Sequence, residues 1–436
     1  MQFTKKSLQQ TTLLLLLGLT IREVFSFWTG HPYDFELWVR LGYAMIHGGN
    51  PYGFLGPAPG LSFANLYSLR DSATIAYLPF WPLITGVLYM LYLTIGLNDR
   101  FLYYLLLKQP TILGDVALGY LLYSYVRLRN LNSSVWVLRF WMLCPFTIIL
   151  SGIWGMFDSL AMAFVMISIM TTRHLKRAFW AGLGTFAKSI PVIYTIPLSL
   201  KSRRNWQSFL VAIALPIGFS AATFAVMGWS LTTVTSALSY TVTRSGESMS
   251  VWDLFFYFNY QGIIPTLDPF VSDLLGMLWI PAVIIFTLIA YRKFGFDSDY
   301  GLIQSLLVVT LSFLVFKSRV TEQYAIYLLA LSTVDFALWN PNRKPLFLAT
   351  AGVALLYLVM NNFFLIRFLS PVYLDYGQIE NGLSQVIGPA RLALNFLSGS
   401  VFTALNAGYL ISILRNKSPR AISPSSSFAA QLTKSS

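Results

Sequence analysis

The sequence predicts an all-α polytopic membrane protein, and three observations support this fold class. Of the 436 residues, 56% are hydrophobic and 11% are charged, whereas about 25% are charged in an ordinary soluble domain. The mean hydropathy is +0.62. Apolar runs long enough for a bilayer core of about 30 Å recur from Leu13 to Leu414. A soluble globular or disordered chain is excluded, and we expect about ten full spans.

The net charge of +13 comes from 30 Lys and Arg against 17 Asp and Glu. Basic residues lie in short clusters between apolar runs, which is how cytoplasmic loops orient membrane helices. This distribution argues against a nucleic-acid surface. It predicts one transmembrane domain over residues 1–415, with external loops at 28–100 and 229–273. The Ser-, Pro- and Lys-rich segment 416–436 is predicted to be a disordered cytoplasmic tail.

Two apolar segments do not fit the alternation of sides, and both are interrupted by Pro or Gly. Segment 74–97 contains Pro79 and Pro82 near its start, so we expect it to lie along the outer face or to re-enter it. Segment 178–200 lies between two basic clusters and is predicted to be a re-entrant pair. Irregular backbone at membrane depth is tolerated where it lines a cavity, so both segments point to a functional site.

Ionisable residues within or beside membrane spans are costly, and each is a candidate for function. Lys188 stands out because it lies in an apolar hairpin broken by Gly and Pro. The single cysteine, Cys144, and the absence of Cys/His metal spacing exclude disulfide and zinc chemistry. The polar candidates near predicted external turns are Asp34, Glu36, Lys108, Asp115, Asp158, Lys317, Arg319 and Glu322.

Several of these residues also have a purely structural interpretation. Lys108 either binds a phosphate or extends its amine to the interface, and Asp115 is deep enough for a hydrogen-bonding role within the bundle. Lys317, Arg319 and Glu322 form an ordinary helix-end ion cluster when taken alone. Together the acids and cations suit an anionic lipid headgroup. Two chemistries remain open at this point, namely group transfer from a lipid phosphate and transport of an anionic solute.

The order of motifs resembles the GT-C superfamily of membrane glycosyltransferases that use polyprenyl-phosphate sugars. Within it, the chain is most similar to mannosyltransferases of the GPI mannosyltransferase I type and to related prokaryotic enzymes. The resemblance covers residues 33–324 and rests on Tyr33-Asp34, Gly48-Gly49-Asn50-Pro51-Tyr52, Tyr77-Leu78-Pro79, Lys108 to Asp115, Trp154-Gly155-Met156-Phe157-Asp158, Lys188-Ser189-Ile190-Pro191 and Val320-Thr321-Glu322-Gln323-Tyr324.

The resemblance implies a GT-C helical bundle with juxtamembrane helices in the first external loop. It also implies inverting transfer of a hexose, most simply mannose, from a lipid-phosphate donor to a lipid- or protein-linked glycan. Asp34 is then the catalytic base, and Lys188, Lys108, Arg319 and Lys317 are the candidate ligands of the donor phosphate. The candidate sugar, acceptor or supporting residues are Tyr33, Glu36, Asn50, Tyr52, Tyr77, Asp115, Trp154, Asp158, Glu322 and Gln323.

Two residues depart from the family pattern. Met156 stands where relatives have Gln, and Glu36 replaces the second acid of an Asp-Xaa-Asp motif, so a metal ligand set is weakened. We therefore expect no cofactor and metal-independent activity, on a plasma or endoplasmic-reticulum membrane, with an accessory subunit left open. The competing functions are a transporter or flippase of lipid-linked substrates and a polymerase or ligase of lipid-linked glycans.

Overall fold

The computed structural model describes residues 5–64, 75, 77–201, 206–230, 232, 248–373 and 376–416. Over these residues the chain is helical, and no strand occurs among them. We number the principal helical segments α1 to α16. They are α1 Lys5–Ser26, α2 Asp34–Ile46, α3 Phe80–Ile95, α4 Arg100–Arg127, α5 Leu131–Leu143, α6 Pro145–Trp154, α7 Asp158–Met170, α8 His174–Ala187, α9 Ile190–Ser199, α10 Trp206–Met227, α11 Asp253–Tyr260, α12 Pro269–Phe294, α13 Asp299–Phe316, α14 Ala325–Leu338, α15 Lys344–Asn361 and α16 Tyr376–Arg415.

Among the described residues, six helices are long and apolar enough to cross a membrane: Arg100–Arg127, Trp206–Met227, Pro269–Phe294, Asp299–Phe316, Pro341–Asn361 and Tyr376–Arg415. A seventh is counted if α5 and α6, which are bent by 46° at Cys144, form one span. The expectation of about ten full spans is therefore not confirmed. Several helices are shorter than a span, and polar residues such as Arg22 and Glu23 interrupt the apolar run of α1.

Side chains that accept backbone N–H groups mark the starts of four of the described helices, among them α4, α5 and α13. Asp99 accepts from Phe101 N (2.8 Å) before α4, and Asn130 accepts from Ser133 N (3.2 Å) before α5. Ser298 accepts from Gly301 N (3.0 Å) before α13. Each cap satisfies a donor that the first helical turn leaves without an intrahelical partner.

The helices differ in how far the protein itself covers them. In α13, 78% of the apolar stretch is buried, and its residues are buried on every side. The corresponding share in α10 is 17%, so this helix leaves most of its apolar surface for lipid. Helices α13 and α14 therefore form the centre of the bundle, and α10 lies at its periphery.

Ion pairs join several of the loops at one end of the bundle. Asp299 pairs with both Arg129 and Lys201, and Arg343 pairs with Asp335 at 2.9 Å. We call this the basic end, because the sequence predicts it to be cytoplasmic from its Lys and Arg residues. The opposite end, where α1 leads into α2 and α6 leads into α7, is called the site end below.

The segments that the sequence marks as irregular contain short helices and a helix break among the described residues. The loop 28–100 contains two short helices, α2 with 13 residues and α3 with 16. Within 178–200, α8 ends at Ala187 and α9 begins at Ile190, so the helix breaks at Lys188. The loop 229–273 contains α11 and the start of α12, while residues 233–247 lie outside the described part. All of the predicted tail except residue 416 also lies outside it.

Arg22 and Asp115 hold α1 and α4 together inside the bundle. The two side chains are fully buried, with Arg22 Nη2 2.6 Å from Asp115 Oδ2. Arg22 also donates to the carbonyl oxygens of Gly18 and Met142, and Ser159 Oγ donates to Asp115 Oδ1 (2.7 Å). Asp115 thus has the hydrogen-bonding role within the bundle that its depth suggested, with a partner that sequence reasoning did not identify.

We expect Arg22→Leu to lower the free energy of unfolding by about 3–5 kcal/mol, because it leaves the buried Asp115 carboxylate without its cation. Thermal unfolding in detergent measures the effect. The double variant Arg22→Leu with Asp115→Leu is expected to recover much of the loss. An unchanged melting temperature in the single variant would contradict a structural role for this pair.

Candidate functional site

The carboxylate of Asp34 lies at the start of α2, at the site end of the bundle. Trp154, the last residue of α6, donates its indole N–H to Asp34 Oδ2 at 3.0 Å. Gly155 follows with φ +90°, a backbone conformation that glycine adopts without steric penalty and that lets α6 stop sharply before α7. The side chain of Asp34 is 20% exposed. Asp34 is therefore both held in position and accessible.

His31 lies on the other side of this carboxylate. Its Nδ1 accepts the backbone N–H groups of Tyr33 and Asp34, each at 3.2 Å, so Nδ1 carries no proton. Burial, and then the charge of Arg367, lower the pKa of His31 well below its usual value. The 3.4 Å contact between Nδ1 and Asp34 Oδ2 is therefore not an ion pair. His31 stacks on Trp154 with ring centroids 4.8 Å apart and buttresses it.

Asp158 and Lys188 form a buried ion pair, with 2.5 Å between Lys188 Nζ and Asp158 Oδ2. Asp158 begins α7, and Lys188 lies at the break between α8 and α9. Helix α7 has 13 residues and is about 20 Å long, shorter than a bilayer core of about 30 Å. The side chains of Lys188 and Asp158 are 3% and 1% exposed, so the pair lies inside the bundle rather than at its surface.

Tyr77 connects the ion pair with Asp34. Lys188 Nζ lies 5.5 Å from the Tyr77 ring centroid. Burial, followed by the charges of Asp34 and Asp158, raises the pKa of Tyr77 well above its usual value, so both acids are close to it. Tyr52 donates its hydroxyl to the Tyr77 carbonyl (2.9 Å), and Asn50 Oδ1 accepts from Tyr52 N (3.0 Å). Asn50 and Tyr52 thus support Tyr77 from the loop that follows α2.

Glu322 and Gln323 lie just before α14. Glu322 accepts a hydrogen bond from Asn361 Nδ2 at 2.6 Å, and burial is the main cause that raises its pKa. Gln323 Oε1 has no hydrogen-bond partner among the described residues. Tyr327 lies beside Asp158, one helical turn after Gln323. Buried polar atoms normally have partners, so this cluster has capacity for polar groups of a ligand.

The ammonium group of Lys108 is fully buried and has four oxygen neighbours. Its Nζ donates to Thr29 O (2.6 Å), Thr29 Oγ1 (3.0 Å), Gly152 O (3.0 Å) and Ile153 O (2.8 Å). These contacts tie the end of α1 to the π-helical turn Ile149–Trp154. A structural role accounts for all of them, so phosphate binding by Lys108 stays a prediction that the function proposed below does not use.

Three further candidates have partners elsewhere. Glu36 is fully buried, pairs with Arg40 at 2.6 Å and accepts from Phe63 N at 2.9 Å, so it holds the loop after α2. Lys317 Nζ lies 3.4 Å from Gly276 O and 5.8 Å from the Trp279 ring, beside α12. Arg319 directly precedes Val320, whose carbonyl oxygen accepts a hydrogen bond from Met249 N (2.8 Å).

Sequence reasoning missed His31, Tyr327 and Arg367 as members of this region. His31 stands three residues before Asp34, in the same motif, and that spacing was the available signal. Tyr327 follows Gln323 by four residues, which places both on one helix face. Arg367 has no signal of this kind, since it reaches the region only through the fold. Among the described residues, no group of three or more His, Cys, Asp or Glu side chains could hold a metal ion.

The helical bundle, its candidate spans and the recessed polar site are consistent with a polytopic membrane protein. Comparison with known protein families and with curated proteins finds no match for the chain.

We expect His31 to make stability depend on pH. The pKa of His31 is lowered in the folded protein, so below about pH 6.5 the unfolded chain binds a proton more readily than the folded protein does. The free energy of unfolding therefore falls in this range by at most about 1.4 kcal/mol per pH unit. The advantage of wild type over His31→Gln in melting temperature should therefore shrink from pH 7.5 to pH 5.5. A difference that stays constant over this range would contradict a buried, neutral His31.

Proposed function

We propose that the protein is an inverting membrane glycosyltransferase that moves a hexose, most simply mannose, from a polyprenyl- or dolichyl-phosphate donor to a glycan acceptor. The observation that carries the proposal is the exposure of the Asp34 side chain. Of the five predicted acids, its side chain alone is substantially exposed, at 20%. Those of Glu36, Asp115 and Asp158 are at most 1% exposed, and Glu322 is 4% exposed.

A base must reach the proton that it removes, and this favours Asp34 over the buried acids. Its second advantage is orientation, because Trp154 holds Oδ2 through a hydrogen bond from a rigid indole. Asp158 is less suited to the base role, because its Oδ2 is bound to Lys188. We assign the base role to Asp34 and a binding role to the Asp158–Lys188 pair.

The reaction that we propose is a single displacement at C1 of the donor sugar. The acceptor hydroxyl oxygen forms a bond to C1 as the C1–O bond to the lipid phosphate breaks, and the electron pair of that bond stays on the phosphate. Asp34 takes the hydroxyl proton. A phosphate is a good leaving group, so the site needs charge stabilisation more than a general acid. Lys188 is the cation that we assign to this task.

The buried oxygens of Asp158, Gln323 and Tyr327 support a sugar as the group that is moved. Gln323 Oε1 lacks a hydrogen-bond partner among the described residues, Tyr327 and Asp158 lie beside one another, and a hexose offers several hydroxyl donors. Trp154 and Tyr77 add aromatic surface next to Asp34 and Lys188. We propose that the hexose ring lies among these side chains, with C1 towards Asp34 and the phosphate towards Lys188.

A donor panel tests the proposal. Purified protein is given polyprenyl-phosphate mannose, polyprenyl-phosphate glucose or a nucleotide sugar, each labelled in the sugar, with a mixed glycan acceptor and with or without EDTA. We expect transfer or slow donor hydrolysis with a lipid-phosphate sugar only, and no effect of EDTA. A parallel liposome experiment follows movement of labelled donor across the bilayer. Movement without transfer or hydrolysis would overturn the proposal in favour of a flippase.

A further inference from the structure

One arginine lies on the exposed, apolar face of α5. Leu131, Val135, Arg139 and Leu143 are spaced by four residues and therefore share one face of this helix. Leu131 is 49% exposed and Leu143 37%, and Arg139 between them is exposed as well. Helix α5 together with α6 is long and apolar enough for a bent membrane span. A cation that faces lipid is costly, so the position of Arg139 requires an explanation.

Arg139 lies well inside α5 and not at its end. It follows the first residue of the helix, Leu131, by about 12 Å along the helix axis. Arginine side chains in helices point towards the helix N-terminus, and α5 begins at the basic end, directly after Arg129 and Asn130. The guanidinium group therefore reaches back towards the headgroups of the leaflet at that end, while its stem stays among apolar side chains.

Helices α1 and α15 stand on either side of this face and leave a groove over Arg139. On one side α1 packs closely against α5, since a Cβ on Gly18 would lie only 2.7 Å from Met142 Sδ. On the other side the ring centroids of Phe347, in α15, and Phe140 are 5.1 Å apart. Successive residues are about 100° apart around a helix, so Arg139 lies between Phe140 and Met142. The floor of the groove is α5.

A second cation, Lys344, borders the same groove. It begins α15, and its Nζ is 4.7 Å from the centroid of the Trp136 ring. Trp136 stacks on Phe140 with ring centroids 5.2 Å apart, and it precedes Arg139 by less than one helical turn. One turn after Lys344, Leu348 is 44% exposed. Two cations from two helices thus lie at the basic end of one apolar groove.

No acid in the described part of the chain neutralises these two cations. Arg139 and Lys344 form no ion pair and no hydrogen bond with another described residue. Helices α5, α6 and α15 contain no Asp or Glu. The acids of the other helices around α5 are bound elsewhere or lie towards the site end: Asp115 of α4 with Arg22, Asp335 of α14 with Arg343, and Glu23 in the last turn of α1. The groove is therefore complementary to an anion that enters from the lipid.

We propose that the groove over α5 binds a phospholipid of net negative charge from the leaflet at the basic end. Arg139 and Lys344 donate hydrogen bonds to the headgroup phosphate, and an acyl chain lies along Leu143 between α1 and α15. Arginine suits this contact because its planar group donates two parallel hydrogen bonds to a phosphate. The bound lipid joins three helices and stabilises the bundle. The inference is independent of the transferase proposal, because the groove opens at the end opposite to Asp34.

Lipid titration of the purified protein in detergent tests the site. The probes are phosphatidylglycerol and phosphatidylcholine with identical acyl chains, and native mass spectrometry gives the Kd of the first bound lipid. We expect wild type to bind phosphatidylglycerol about tenfold more tightly than phosphatidylcholine. Arg139→Gln and Lys344→Gln are each expected to weaken binding of phosphatidylglycerol about tenfold and to change that of phosphatidylcholine little. Phosphatidylglycerol should also raise the melting temperature of wild type more than that of either variant.

Arg292→Gln is the matched control, because Arg292 is another exposed arginine at the basic end, in the last turn of α12. It removes the same charge from a different helix, and we expect wild-type affinity for both lipids. Arg139→Lys keeps the charge and replaces Arg139→Gln if that variant is unstable, with a smaller loss of affinity expected. Equal affinity of wild type for the two lipids, wild-type affinity in either Gln variant of the groove, or an equal loss in Arg292→Gln would overturn the site.

Discussion

Asp34→Asn is expected to lower the turnover number for sugar transfer by about 10²- to 10⁴-fold, the usual contribution of a positioned general base. The amide has the shape of the carboxylate and still accepts the Trp154 N–H through its oxygen, so the site keeps its geometry. We therefore expect KM for the donor and the melting temperature to change little. Steady-state transfer of labelled sugar, with unfolding measured on the same sample, separates these effects.

Asp99→Asn serves as the control for this variant. Asp99 caps α4 at the same end of the bundle, and Asn is an equally good cap, so the substitution removes one acid without other loss. We expect wild-type turnover. If Asp34→Asn turns over as fast as wild type and Asp99→Asn, Asp34 is not the base, and Asp158 becomes the next acid to test, because Glu36 is fully occupied by Arg40 and the backbone of Phe63.

Lys188→Met is expected to lower the free energy of unfolding by about 3–5 kcal/mol, since it leaves the Asp158 carboxylate buried without its cation. It should also lower transfer by about 10²- to 10³-fold, which is the typical cost of losing one group that stabilises developing charge. The loss of stability alone would not distinguish a catalytic cation from a structural one. A second variant is needed for that purpose.

The double variant Lys188→Met with Asp158→Asn removes both charges and leaves side chains of similar volume. We expect most of the stability to return, because replacing a complete buried ion pair is often close to neutral. Transfer should remain low, because the cation for the leaving phosphate is still absent. A double variant that regains both stability and turnover would show that the pair is structural only, and the phosphate would then need another cation.

The sequence predicts the helical class, and its motifs single out Asp34, Trp154, Asp158 and Lys188 as candidates. In the structure these residues lie towards one end of the bundle. The expectation of about ten spans is not confirmed, since six or seven candidates occur among the described residues, and hydropathy does not distinguish a lipid-facing helix from a short helix covered by protein. Helix α7 illustrates this, since it is apolar but has only 13 residues.

The partners of buried charges could not be predicted, because they come from distant parts of the chain. Lys108 and Lys188 look alike in sequence, as single cations in apolar surroundings. One is bound by backbone oxygens of the turn after α1 and of α6, and the other by Asp158. Arg22 reaches Asp115 across 93 positions. Only the packing of the helices decides which lysine is bound by carbonyl oxygens and which forms an ion pair with an acid.

The most direct test of the account is the anomeric configuration of the sugar in the product. With a β-linked polyprenyl-phosphate mannose labelled at C1 and a defined acceptor, wild-type protein is expected to form an α-linked product, readable by NMR or by digestion with linkage-specific mannosidases. Inversion is the result of one displacement in which Asp34 acts as base. A β-linked product would mean that a carboxylate attacks C1 itself, and it would contradict the role proposed for Asp34.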